Sequence, residues 1–324
     1  MCTCVRVKGK DLLVGRNMDI EYSFGENLVV TPRNYPWQWR EEGKNKESFA
    51  IMGMATVMDN YPLYAEAVNE KGLVMASLNF PGNAAYHPKR KGKINLTPFE
   101  LIPYILTKFE TVADVMEVID RFHLVDENFK EEVPLAPLHF ILMDEEDCIV
   151  LEPEREGLKI YQNPIGVLTN NPPFPQQMIN LQNYGNLQVE NPSFLFQSDI
   201  KSTPYGQGLG GVGLPGDASP MSRFVRSAFY KTRMEALNPK KIKEQEIFHI
   251  LDSVKMLRGS VKTPEGKWDI TTYTVCINAT KGIYLFKTYE NPQIYRWSFD
   301  DEDLEDQNLK VHGFPKEFQP LPLN

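Results

Sequence analysis

The chain reads as an α+β protein of mostly antiparallel sheets, and three observations predict it. Strand-like alternation fills the first 80 residues, amphipathic helical periods with start signals follow, and strands return in the middle and again near the end. Sheets that alternate along a chain with helices in this way stack as layers. No repeat, low-complexity tract or linker interrupts the 324 residues, so residues 1–324 are expected to form a single domain.

Each element has its own warrant. Val5 and Val7, then Leu12 and Val14, alternate as two short strands joined by a Lys8-Gly9-Lys10 turn, and residues 27–31, 49–58 and 73–78 continue the strand pattern. Thr97-Pro98-Phe99-Glu100 offers an N-cap, a proline for the first helical position and a capping-box carboxylate ahead of Leu101, Ile102, Ile105 and Leu106. Residues 111–121 repeat the helical period, with Val112, Val115, Met116 and Ile119 on one face. Strands are expected at 139–143, 148–152, 158–162 and 166–169, the last broken by the proline-rich run from Asn171 to Pro175. Helices at 220–237 and 243–257 then precede strands at 270–278, 282–288 and 294–298.

Composition narrows the function. A hydrophobic content of 42% supports a sizeable core, and a formal charge of -8 argues against nucleic acid or an anionic membrane as partner, since both attract basic surfaces. The N-terminus lacks an apolar signal core, and no run approaches the roughly 18 to 20 apolar residues of a membrane helix. Four scattered cysteines, Cys2, Cys4, Cys148 and Cys276, make no disulfide framework in a chain this long, so the expected compartment is the cytoplasm.

The most informative of these cysteines stands directly behind Met1. Aminopeptidases remove an initiator methionine when the second side chain is small, so Cys2 can carry a thiol and a free α-amine on one carbon. In reference peptides the amine titrates at roughly 7.7 to 8 and the thiol at about 8.5, so the two exchange a proton near neutrality. The segment Gly15-Arg16-Asn17-Met18-Asp19 adds a guanidinium that stabilises a thiolate and a carboxylate that holds an ammonium. A hairpin through Lys8-Gly9-Lys10 brings Arg16 and Asp19 back beside Cys2. Read in isolation, Arg16 and Asp19 are first a surface ion pair and only second a catalytic pair.

Six motifs then fall in a familiar order: Met1-Cys2-Thr3, Gly15 to Asp19, Asn69-Glu70-Lys71-Gly72-Leu73, Leu78-Asn79-Phe80-Pro81, Gly166 to Pro172, and Gly213-Leu214-Pro215-Gly216-Asp217 with Ser222-Arg223-Phe224. Together they resemble the choloylglycine hydrolase family, which contains bile salt hydrolases and penicillin V acylases, from residue 1 to about residue 297. The resemblance implies the four-layer αββα fold of N-terminal nucleophile hydrolases, amide hydrolysis and a homotetramer. It places the nucleophile on Cys2, the thiol-adjacent arginine on Arg16, the amine-holding aspartate on Asp19, the oxyanion asparagines on Asn79 and Asn170, and a second arginine on Arg223. Without it, Asn79 and Asn170 read as turn-satisfying residues at strand ends.

The resemblance also speaks to substrate. Asn79 follows the bile salt hydrolase pattern where related penicillin V acylases often carry tyrosine, so conjugated bile salts are the expected substrate and penicillin V the alternative. Positions matching an acyl pocket are Met18, Met58, Phe129 and Val133. Gly206-Gln207-Gly208 matches a segment that varies with conjugate preference, here in the taurine-leaning form. Other chemistries find less support: Cys2-Thr3-Cys4 suggests a metal or redox pair but lacks further ligands nearby, the five histidines are scattered, and His139 reads as a satisfied core histidine. The Gly206 to Gly211 run lacks the spacing of a dinucleotide fingerprint, and no cofactor or metal is called for.

Overall fold

The computed structural model describes residues 1–45, 47–193, 203–315 and 317–322. In chain order the strands are β1 (Cys2–Lys8), β2 (Leu12–Ile20), β3 (Asn27–Thr31), β4 (Gln38–Trp39), β5 (Gly43–Lys44), β6 (Ile51–Met58), β7 (Tyr61–Asn69), β8 (Val74–Asn79) and β9 (Ile94–Leu96). They continue as β10 (Phe122–Leu124), β11 (Leu138–Met143), β12 (Cys148–Glu154), β13 (Gly157–Gln162) and β14 (Val167–Leu168). The last are β15 (Val261–Lys262), β16 (Trp268–Asn278), β17 (Ile283–Thr288), β18 (Tyr295–Ser298) and β19 (Lys310–His312). The helices are α1 (Leu101–Lys108), α2 (Val112–Val118), α3 (Phe174–Leu181), α4 (Pro220–Leu237) and α5 (Glu244–Asp252).

Two large antiparallel sheets face each other. The first runs β14-β1-β2-β16-β17-β18, with β15 added to β16, and the second runs β13-β12-β11-β8-β7-β6-β3-β19. Helices α4 and α5 cover the outer face of the first sheet and α1 that of the second, which completes the αββα order. Between the sheets, Cys4, Val14 and Val275 share a core with Met52, Val68, Val74 and Ile141. A second core joins Ala67, Met75 and Leu142 to Leu101, Ile105, Val112 and Val115 of the helical layer. Gly15 sets how closely α5 approaches: a Cβ there would lie 2.2 Å from Ile247 Cγ2.

Most expected elements form, several with shifted ends, and the departures have local causes. Strand β7 escapes the alternation rule because its pairing with β6 shifts register between Met54 and Ala55, a bulge that breaks the period of two. The proline-rich break also opens a helix, α3, whose Phe174 N–H is accepted by the Glu152 carboxylate. The Thr97 hydroxyl donates to Glu100 instead of capping, so 97–100 form a turn and α1 starts at Leu101. Thr111 and Asp114 do make a capping box, but α2 tightens to a 3₁₀ turn at Ile119–Arg121 and Met116 is exposed. Helix α5 ends at Asp252, short of the expected 257.

Candidate active site

The β1–β2 hairpin pairs Cys2 with Met18 and Cys4 with Arg16, and paired residues share a face of the sheet. Both cysteines and Arg16 therefore look into the space between the sheets. There Arg16 Nη2 lies 3.5 Å from Cys2 Sγ and 2.7 Å from Ser77 O, while Nη1 reaches the Glu66 carboxylate and, at 2.9 Å, Tyr273 Oη. Met18 Sδ stands 3.7 Å from Cys2 Sγ. Burial works against the Arg16 charge, but Glu66 outweighs it and holds the guanidinium pKa well above its ordinary value. Cys4 differs from Cys2 in kind: desolvation pushes its buried thiol far up, which leaves it a small core side chain.

Asp19 points the other way, to the helical side of the same strand. A register shift in β16 between Thr271 and Tyr273 lets Thr271 face Asp19 while Tyr273 faces Arg16. Thr271 Oγ1 donates to Asp19 Oδ1 at 2.6 Å, and Asp19 Oδ2 is buried with no hydrogen-bond partner, 3.8 Å from Arg223 Nη1. Burial raises the Asp19 pKa against the pull of Arg223. Asp19 and Arg16 are thus not an ion pair and neither is on the surface.

Arg223 follows Ser219, whose side chain caps α4. It is fully buried and fans out beneath β1, with Nη1 donating to Cys2 O and Thr3 Oγ1 and Nη2 donating to Asn170 Oδ1 at 2.8 Å. Asn170 also accepts from the Cys2 N–H at 2.8 Å and donates through Nδ2 to Asn79 O at 2.7 Å. One Nδ2 hydrogen of Asn170 remains uncommitted. With Met1 in place the Cys2 nitrogen is an amide and carries no basic lone pair.

A cavity of about 710 Å³ opens above Cys2, and Arg16, Asp19 and Asn79 also line it. Its walls bring together four residues singled out in the sequence, Met18, Met58, Phe129 and Val133, with Phe24, Phe99 and Leu135 among their neighbours. Phe99 and Phe129 pack edge to face, 5.2 Å between centroids, which stiffens that wall.

The sequence profile of linear amide C–N hydrolases of the choloylglycine hydrolase family matches residues 2–312. The chain belongs to this family. It is 41% identical over 324 residues, 100% of both chains, to a Lactiplantibacillus plantarum protein named bile salt hydrolase/transferase. A crystal structure of a mutant conjugated bile acid hydrolase from Clostridium perfringens matches with a TM-score of 0.94 at 38% identity, covering 100% of each chain. A penicillin V acylase from Agrobacterium tumefaciens, at 20% identity and a TM-score of 0.75 over 99% of this chain and 100% of that one, shares the fold.

As a choloylglycine hydrolase the chain is an amidohydrolase with the N-terminal nucleophile fold, and its geometry gathers Cys2, Arg16, Asp19, Asn170 and Arg223 around one strand end with Asn79 beside them. Gly206, Gln207 and Gly208 do not line the cavity; Gly206 O is held by Asn191 Nδ2 at 2.8 Å. Sequence reading missed Thr271, Tyr273 and Glu66. Glu66 carried a signal, a lone carboxylate in the apolar run Tyr64-Ala65-Glu66-Ala67-Val68. His139, by contrast, is the satisfied core residue expected, bonded to Glu152 and Thr169 O and stacked on Phe80.

Proposed function

We propose that this chain hydrolyses the amide bond of glycine- and taurine-conjugated bile acids, with Cys2 as an N-terminal nucleophile. The observation that carries the reading is a cysteine thiol, 3.5 Å from a buried guanidinium, at the floor of a largely apolar cavity. With Met1 removed, the Cys2 amine takes the Sγ proton, and Arg16 steadies the thiolate. The sulfur attacks the carbonyl carbon and negative charge moves to oxygen, where amide N–H groups of Asn79 and Asn170 contribute about 3 kcal/mol each. Collapse breaks the C–N bond, and the departing amine takes the proton from the Cys2 ammonium. Water then attacks the thioester, passing a proton through the same amine, and the acid leaves as the thiol is restored.

Asp19 supports this scheme as the partner of the new ammonium, and Arg223 as the clamp on Cys2 O and on Asn170. The Met18, Met58, Phe129 and Val133 walls suit a rigid steroid. A lean toward taurine rests on Gly206-Gln207-Gly208 alone. We further propose one catalytic domain spanning residues 1–324, supported by a core continuous across both sheets, and a cytoplasmic setting, supported by four buried, unpaired cysteines. A homotetramer rests on the family resemblance.

The test is purified protein supplied with glycocholate, taurocholate and penicillin V in one vessel, with released amine measured. A steroid buries more apolar area than a phenoxymethyl group, and 100 Å² at about 25 cal/mol per Å² is worth roughly 2.5 kcal/mol when realised in the transition state, a preference of up to tens of fold. Preferential consumption of penicillin V assigns the chain to the acylase branch.

A further inference from the structure

The bulge in β7 has a single polar beneficiary. Tyr64 belongs to the core under the helical layer, whereas Ala65 belongs to the core between the sheets. In an unbroken strand Glu66 would face the same way as Tyr64. The register shift beside it instead sends the carboxylate across to the first sheet, where it is 1% exposed. There it bonds three side chains from three strands: Arg16 of β2, Tyr273 of β16 at 3.0 Å and Tyr284 of β17 at 2.6 Å.

We propose that Glu66 is a positioning residue for Cys2, acting through Arg16. This rests on the reading of Cys2 as the nucleophile. A guanidinium is planar, so fixing two of its corners fixes the third. Glu66 and Tyr273 hold Nη1, Ser77 O takes one hydrogen of Nη2, and the other is left facing the sulfur atoms of Cys2 and Met18, at 3.5 and 3.6 Å. The same carboxylate tempers the positive potential at Cys2, because its charge lies on the far side of Arg16 and partly cancels it. The hydroxyls of Tyr273 and Tyr284 both donate into this carboxylate.

The experiment is iodoacetamide labelling of Cys2 in the folded, Met1-free protein as a function of pH, with the site of labelling read by peptide mass spectrometry. Cys4, Asp19, Arg223, Asp269, Tyr273, Tyr284 and the Cys2 α-ammonium, charged or titratable groups around the site, are the same in every variant. Glu66→Gln keeps an oxygen for Arg16 and drops the charge, so its labelling profile moves to lower pH by about one unit. Glu66→Ala releases the guanidinium, and its profile moves to higher pH, toward that of Arg16→Ala. If Glu66→Ala does not fold, Glu66→Gln decides alone. A Glu66→Gln profile that stays with the wild type, or moves to higher pH, overturns the proposal. Loss of the underlying reading would look different: Cys2→Ala would still hydrolyse glycocholate, whatever the labelling profiles do.

Discussion

Asp19 Oδ2 sits 3.8 Å from Arg223 Nη1, in a fully buried site, without a hydrogen-bond donor of its own. A buried carboxylate oxygen left in this state is costly. In the proposed mechanism an α-ammonium on Cys2 supplies the missing donor. Asp19→Asn, which still accepts from Thr271 but offers no charge to an ammonium, is expected to lower kcat for glycocholate at least 100-fold, on the scale of general-base losses. Retention of Met1 in the variant is checked by mass. A kcat within threefold of wild type, on the order of a minor perturbation, separates Asp19 from the chemistry.

Arg16 makes a complementary prediction. Arg16→Ala is expected to move the pH profile of Cys2 alkylation upward, because the sulfur loses the guanidinium 3.5 Å away. Arg16→Lys restores only part of the shift, since a single ammonium cannot span Glu66, Ser77 O and the sulfur at once. Unchanged profiles in both variants exclude the electrostatic role.

The cavity wall predicts selectivity. Phe129→Ala removes a side chain packed on Phe99 and facing the space above Cys2. Loss of about 100 Å² of apolar contact, at about 25 cal/mol per Å², lowers kcat/KM for glycocholate by tens of fold and affects penicillin V less. Equal losses on both substrates contradict a steroid seat at this wall.

Helix α4 predicts a pH effect on stability. Hydrogen bonds from Ser219 and Ser222 hold the Asp217 carboxyl down to about 2, from an ordinary 3.8, at the N-terminus of the helix that carries Arg223. A depressed folded pKa contributes stability above the unfolded value and loses it as pH falls toward the folded one. Asp217→Asn is therefore expected to cost about 1 kcal/mol at pH 7, the scale of a cap plus a favourable helix-dipole contact. The difference from wild type narrows between pH 3.8 and about 2. Denaturant melts at pH 7 and pH 2.5 measure it, and a constant difference refutes the assignment.

Much of this site is legible in the chain because its parts sit in short segments whose local structure is plain. The Val5, Val7, Leu12 and Val14 alternation is enough to fold Arg16 back over Cys2, and Ser219-Pro220 is enough to start the helix of Arg223. What escapes is whatever depends on a bulge. Thr271 and Tyr273 are two residues apart and a regular strand would put them on one face; the register shift in β16 splits them between Asp19 and Arg16. Glu66 is hidden by the same device in β7. Asn170 is found by motif, yet its commitments to Cys2, Arg223 and Asn79 reach three separate segments that no local pattern connects.

The proposed chemistry depends on the nitrogen of Cys2. The most direct measurement is intact-protein and N-terminal peptide mass spectrometry on enzyme whose active fraction has been titrated with glycocholate. The active molecules are expected to begin at Cys2, and Cys2→Ala, folded and equally processed, to release no glycine. Full turnover from molecules that retain Met1 would contradict that chemistry, because an amide nitrogen at Cys2 has no basic lone pair to take the thiol proton.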